Sequence, residues 1–597
     1  MDKRSLIAIL ITFAILITWQ MLYVQPRQKE AARIRAEQQA VADSMAAERA
    51  DREETIDDIE ALESPGLEDV RSAPETEEKA PAQAGGLFGD DGEAVMVTVD
   101  TGPMVVRLSS VGGEIDGVEL TSYKRSGGGP AQLVPEGAGG GVTLGIMKDG
   151  RWIDLSEVRF SAKVNGREAV DGERIVLGEG SDEVEIAFAR MAPDGGLIEK
   201  KLRFYRDSYE AKLSVVIGRE GELRDTGAYS VSWNCGLALN EKDERWEKRQ
   251  MASMGRVGED TYTESARSFG KTGLKEEEGV VVWAGVRSKY FLTAIMTETQ
   301  RTGKLGMLGD KETSRVGWSV MYPFSGDPRM VRDEYTLYMG PLDIKTLKGY
   351  GVGLEKMIDL GRLRFFSKFI LQLMMWMHGF IPNYGVVIII ISILTKVLFY
   401  RLTHKSFKSM KDMQRLQPRL KELQDRYKDD RSRLNQETMK LYKEAGVNPL
   451  GGCLPLLLQM PVFVALFSVL RNTIELRGAP FMLWISDLSS PDVLFDFGAK
   501  IPFLGSEFHL LPLLMGAAMY LQSKMSGGSP TGEAATGSAS QQKMMQTLMP
   551  VMFTFLFYSM PSGLVLYWLV NNIFSIIQQY VVHRQIESEG AVVKTGA

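Results

Sequence analysis

From about Val95 to Met339, apolar and polar residues alternate in short runs such as MVTVD, MVVRL, ERIVLG, EVEIAFA, AKLSVVIG and EYTLYMG. The stretches SGGGP, EGAGGGV and APDGG separate these runs. Period-two alternation with glycine punctuation predicts many short strands, and therefore an all-β sandwich or barrel. After residue 360 the pattern changes. Arg362–His378 places Arg364, Lys368 and Gln372 four apart, with Phe365, Phe366, Phe369, Leu373 and Trp376 on the adjoining faces. That spacing predicts a helix lying in a membrane interface, ended by the break at Pro382 and Gly385.

Next comes Tyr384–Arg401, YGVVIIIISILTKVLFYR, close to the minimum for a crossing helix, which needs roughly 20 apolar residues. Leu450–Leu470, Phe508–Leu521, Met544–Met560 and Leu564–Val582 read as further spans. Arg471–Glu507 is expected as an amphipathic outer loop and Lys524–Lys543 as an inner loop rich in Gly, Ser and Ala. Between the first two of these spans, Thr403–Val447 is polar and basic. Met413, Leu416, Leu420, Leu423 and Tyr427, then Leu434, Thr438, Leu441 and Ala445, recur at steps of three and four around Lys428-Asp429-Asp430. This predicts an antiparallel helical hairpin, and its basic charge assigns it to the cytoplasm.

At the start of the chain, Lys3 and Arg4 precede the apolar run Leu6–Val24, with no small-x-small site after it. An uncleaved signal anchor with a cytoplasmic N-terminus is expected. The organisation then reads in order: anchor 1–24, a helical and disordered tether 25–92, and a β domain 93–341 outside the cytoplasm. A connector with the interfacial helix occupies 342–383, its part Leu342–Leu360 polar and helical. A five-helix core spans 384–583, and a cytoplasmic tail 584–597. The fold class is thus a membrane α-helical bundle carrying a large all-β domain.

Composition narrows the chemistry. A net charge of −6 over 597 residues argues against nucleic acid as a partner. Cys235 and Cys453 fall in different compartments, so neither a disulfide framework nor a cysteine zinc site is expected. The four histidines are His378, His404, His509 and His583, which leaves the β domain without one for catalysis. HExxH and GxSxG are absent. Ser392 and Lys396 share a helix face, but nothing supplies an oxyanion site. These patterns indicate a protein that is not an enzyme, with no catalytic residue, cofactor or metal.

Lys396 is the one cation set inside the first core span. It lies roughly 18 Å from one end of the run and about 8 Å from the basic end. An ammonium at the centre of a bilayer costs about 2.5–3.5 kcal/mol and marks function by default, unless it snorkels to the headgroups. Its polar company decides between the two. Ser392 lies one turn back on the same face, Gln459 sits within the next span, and Tyr567, Asn571, Ser575 and Gln578 form one stripe on the last. Lipid cannot satisfy such a stripe, so it faces protein or water. The spans hold no Asp or Glu, which argues against proton relays and ion coupling. A hydrated, positively charged groove is expected.

Several strings carry a resemblance to a known family. They are SKFILQLMMWMHGFIPNYGVVIIIISILTK, LQPRLKELQDRYKDD, YKEAGVNPLGGCLPLLLQMPVFVALF, ELRGAPFMLWISDLS, and MPSGLVLYWLVNN with IIQQ, in order over about residues 340–585. The chain resembles the YidC/Oxa/Alb membrane protein insertases, in the Gram-negative form with a large periplasmic domain. The resemblance implies a mutarotase-like β-supersandwich for that domain. It also implies an insertase and chaperone of the inner membrane, working without ATP or metal through a groove open to the cytoplasm and to lipid. Client contact then falls on Gln459, Met460, Tyr567 and Trp568, and docking of cytoplasmic partners on Asp429 and Asp430. The implied partners are client membrane proteins, membrane lipids, the Sec translocon (SecYEG and SecDF), the ribosome and the signal recognition particle receptor. The sequence departs from the family at Lys396, where arginine is common, and at Arg401, where relatives often have proline. A polytopic transporter or channel using the groove for permeation is the alternative.

Overall fold

The structure is a computed structural model that describes residues 82–83, 88 and 93–595, apart from 270–272, 300, 325–327, 429, 448–453, 502–504 and 527–536. The expected anchor and nearly all of the tether lie outside the described residues. Alternation in the first half does produce strands, because every second side chain then faces one side of a sheet. Glu183–Met191, Leu197–Tyr205, Glu210–Gly218, Met330–Pro341, Phe291–Thr297 and Leu274–Arg287 lie side by side in that order, all antiparallel. The sheet continues through Thr302–Gly309, Val316–Pro323, Thr226–Trp233 and Thr143–Lys148. A separate five-stranded sheet is built from Glu173–Val176, Met96–Asp100, Met104–Ser109, Glu114–Lys124 and Pro130–Gln132. The domain is all-β, as its periodicity indicates.

One strand joins the two halves of the large sheet. Leu274–Val280 pairs with Thr302–Gly309, whereas Trp283–Arg287 pairs with Phe291–Thr297. Its first half alternates with solvent and its second is almost wholly buried. The change falls just after Gly279, at φ 153°, where a Cβ would come within 2.5 Å of Val257 Cγ1. Only glycine fits that bend.

The helices are α1 (Glu244–Gln250), α2 (Ile344–Gly349), α3 (Arg364–His378), α4 (Tyr384–Leu398), α5 (Tyr400–Arg415), α6 (Gln417–Arg426), α7 (Arg431–Glu444), α8 (Leu454–Asn472), α9 (Leu510–Ser526), α10 (Gly537–Phe557) and α11 (Ser562–Thr595). Helix α3 turns Phe365, Phe369 and Trp376 outward and buries Ile370, Leu371, Met374 and Met377, the layout its spacing predicts. Helices α6 and α7 lie against each other as the expected hairpin. Leu416, Leu420, Leu423 and Leu434 are half-buried along it. By length and apolarity among the described residues, Ser562–Val582 qualifies as a crossing helix. Tyr384–Leu398 with Tyr400–Met413 qualifies as a pair bent by 64°.

Two expectations are revised. Leu342–Leu360 is neither mainly polar nor mainly helical. Leu342, Ile344, Leu347, Leu354, Met357, Ile358 and Leu360 are buried, and its regular structure is α2 and a single turn at Leu354–Met357. These side chains link Trp283, Leu292 and Tyr338 of the large sheet to Ile370 of α3 and Leu466 of α8 in one apolar cluster. Lysines and glutamate between the apolar positions disguised this plug as a polar linker. The outer loop Arg471–Glu507 is also more than an amphipathic surface. It contains a hairpin, Phe495–Ile501 with Gly505–Phe508, and it grips the β domain. Arg477 Nε meets Glu241 Oε1 at 2.8 Å, Arg477 donates to the Lys124 carbonyl at 2.6 Å, and Lys242 pairs with Glu507. The Arg471 guanidinium lies 3.5 Å from the centre of the Trp246 ring.

Candidate functional site

Helix α4 begins at Asn383, whose side chain accepts from the Val386 amide at 3.1 Å, an N-cap that satisfies one free donor. The apolar run then continues to Leu398, and the chain bends at Phe399 although no proline stands there. Thr403 Oγ1 donates to the carbonyls of Phe399 and Tyr400 at 2.9 and 3.0 Å. That side-chain bonding satisfies backbone acceptors freed by the bend.

Lys396 is half-buried two residues before the end of α4. Its Nζ donates to Ser575 Oγ of α11 at 2.7 Å. Ser575 in turn donates to the Asn571 carbonyl at 2.8 Å, and the Asn571 amide to the Tyr567 carbonyl at 2.8 Å. Tyr567 OH accepts from Gln459 Nε2 of α8 at 3.2 Å. Ser392 is fully buried and donates to the Ile388 carbonyl at 2.8 Å. Ser392 thus lines the helix contact one turn from Lys396 and does not bond it. The polar residues expected on three helices come together around one ammonium, with serine as its side-chain partner.

The remaining expected residues go elsewhere. Met460 is 41% exposed on α8. Trp568 is packed in an aromatic cluster, 4.9 Å from Phe463 and 5.4 Å from Phe557 between ring centres. Asp430 caps α7 by accepting from the Arg433 amide at 2.9 Å, and Asp429 lies outside the described residues. Gln578 reaches Thr403 Oγ1 at 2.7 Å and ties α11 to α5. Thr403, Asn572 and Gln579 did not stand out in the sequence, and all three are buried. The doublets Asn571-Asn572 and Gln578-Gln579 were the available signal, since adjacent amides make the polar face wider than one stripe.

Residues 96–373 match the family model of the YidC periplasmic domain, and residues 376–589 match that of the 60Kd inner membrane protein. A membrane protein insertase YidC of Chlorobaculum parvum is 32% identical over 99% of this chain and 96% of its own. That of Geobacter metallireducens is 32% identical over 99% of this chain and 100% of its own. The chain belongs to the YidC membrane protein insertase family. It is accordingly an inner membrane protein, and its β domain is the YidC periplasmic domain. A galactose mutarotase related enzyme from Lactobacillus acidophilus is a structural neighbour at 9% identity, with a TM-score of 0.29, over 41% of this chain and 97% of that one. The Lys396 network and Trp568 lie within the match to the 60Kd inner membrane protein, and the plug Leu342–Leu360 lies within the periplasmic-domain match.

Proposed function

We propose that this YidC-family chain inserts and folds client proteins in the inner membrane through a groove centred on Lys396, with no catalysed covalent step. The carrying observation is the 2.7 Å bond from Lys396 to Ser575, in a set of spans that contain no Asp or Glu. An ammonium held by a neutral hydroxyl keeps its charge unneutralised, so it can attract an anion from a client. Polar groups of α4, α8 and α11 shorten the dry path for a client's polar N-terminal tail, while the client's apolar segment moves sideways into lipid. At an effective dielectric of about 20, a carboxylate about 4 Å from Lys396 gains about 4 kcal/mol before desolvation. Met460, exposed beside Gln459, offers the adaptable apolar contact that varied clients need.

In this reading both termini and the hairpin Thr403–Val447 are cytoplasmic, five spans form the core, and the β domain is periplasmic. The hairpin, with Asp429 and Asp430, receives clients from the ribosome or the signal recognition particle receptor, and the chain works alone or beside the Sec translocon. The family matches lend no support to the transporter alternative.

The test measures insertion in cells depleted of the native protein, using matched clients that differ only in N-tail charge. Lys396→Arg should keep function, Lys396→Ala should lose acidic-tailed clients several-fold, and Lys396→Glu should be worst. Neutral-tailed clients should respond little. Equal insertion of acidic-tailed clients by Lys396→Ala, at equal protein level, would sink the mechanism.

A further inference from the structure

A second site lies away from the Lys396 network, between α9 and α10. Leu513, Ala517 and Tyr520 of α9 face Val551 and Phe555 of α10 and Tyr558 just beyond it, around a half-open groove of about 360 Å³. Its shape has a local cause. A Cβ on Gly516 would sit 2.0 Å from Thr554 Oγ1, so the helices touch there, and the space opens beside Ala517.

The groove asks for an apolar occupant. Thr554 Oγ1 already donates to the Pro550 carbonyl at 2.8 Å. Tyr558 OH donates to the Glu507 carbonyl at 3.2 Å and accepts from the His509 amide at 3.3 Å. Val551 and Phe555 stand 47% and 60% exposed on its wall. From Thr547 to Tyr558 the groove runs about 16 Å along the helix, which matches half of a hydrocarbon core roughly 30 Å thick.

Charge selects which apolar molecule. Lys524 is the only charged residue of α9, and Lys543 the only one of α10. Lys524 is exposed one turn beyond Tyr520, and in sequence Lys543 stands four residues before Thr547. Because α10 starts where α9 ends, both lysines mark the same mouth of the groove. The opposite mouth is closed by Tyr558 and the Glu507 carbonyl. An amphiphile with an anionic head at the lysine mouth and a chain along the groove complements both features.

We propose that the α9–α10 groove binds one acyl chain of an anionic phospholipid, with its phosphate at Lys524 and Lys543. The site shares no residue with the Lys396 network and does not depend on the insertion mechanism. Its surroundings keep an acyl chain in register with one leaflet, and the lysines distinguish that lipid from a zwitterionic one.

The test uses the full chain in a mild detergent, with phosphatidylglycerol or phosphatidylcholine of identical acyl chains, read by native mass spectrometry. One phosphatidylglycerol per chain should be retained in preference to phosphatidylcholine. Ala517→Trp fills the groove from an exposed position, and should abolish retention of both lipids. Lys524→Gln and Lys543→Gln should each lower the preference about fivefold while leaving chain binding intact. Equal retention of the two lipids by the unaltered protein, or undiminished phosphatidylglycerol on Ala517→Trp, overturns the proposal. Displacement of the lipid by an equal concentration of inorganic phosphate would overturn the acyl-chain part.

Discussion

The β domain and the helical core each enclose a lysine, and the two are held in opposite ways. Lys200 is fully buried in the β domain. Its Nζ donates to the main-chain carbonyls of Val142 and Gly112 at 2.7 and 3.3 Å, and Glu114 is its electrostatic neighbour. Lys396 is half-buried, with one hydroxyl as its hydrogen-bond partner and no acid in the spans around it. Main-chain carbonyls locked in strands cannot move away, whereas a serine hydroxyl can give up its partner to another anion. A cation held by fixed carbonyls serves the fold. One held by a single exchangeable hydroxyl is available to a ligand.

The comparison breaks most visibly at Lys200. Lys200→Ala leaves a cavity and two buried acceptors without a donor, and should cost about 3 kcal/mol. Thermal unfolding of the purified full-length protein measures this, and insertion should persist at permissive temperature. Lys396→Ala should cost under about 1 kcal/mol, because its partner Ser575 still donates to Asn571. Similar midpoints for the two alanine variants would erase the distinction.

The junction between the regions gives the next largest effect. Arg477→Ala removes charge-assisted bonds to Glu241 and the Lys124 carbonyl and should cost about 2 kcal/mol. Arg477→Lys should fall between wild type and alanine, since lysine keeps the charge without the planar fork. Thermal unfolding and the rate of limited proteolysis check this, and an unchanged midpoint together with an unchanged cleavage rate would make the contact incidental.

A smaller effect sharpens the contrast through pH. Burial pushes the Lys200 amine down to about 7 from 10.5, against a weaker upward pull from Glu114. Between those values the unfolded chain holds a proton that the folded chain does not. Stability therefore rises with pH across that window, by up to about 1.4 kcal/mol per unit. Below about 7 both states are protonated and the contribution is constant. The midpoint of the wild type minus that of Lys200→Met should climb from pH 7 to 8. A flat difference would show that Lys200 is not titrating there.

Much of the molecule was legible in its sequence. Period two marked the strands, the face spacing of Arg362–His378 described α3, and the four-residue steps from Tyr567 to Ser575 marked a polar face. These are properties of one element at a time, set by backbone geometry and by where lipid or core tolerates a polar group. The absence of acids from the spans was equally plain, because it needs no partner to be read.

Which side chains meet was decided only by tertiary structure. Lys396 and Ser575 are 179 residues apart, and their contact depends on the rotation and offset of α4 against α11. Sequence spacing carries no record of either quantity. The same packing sent Trp568 into an aromatic cluster, bent the chain at Phe399 without proline, and made Leu342–Leu360 an apolar plug. A periodic pattern states which face of an element is polar or apolar. What that face touches depends on residues elsewhere in the chain, brought close by packing.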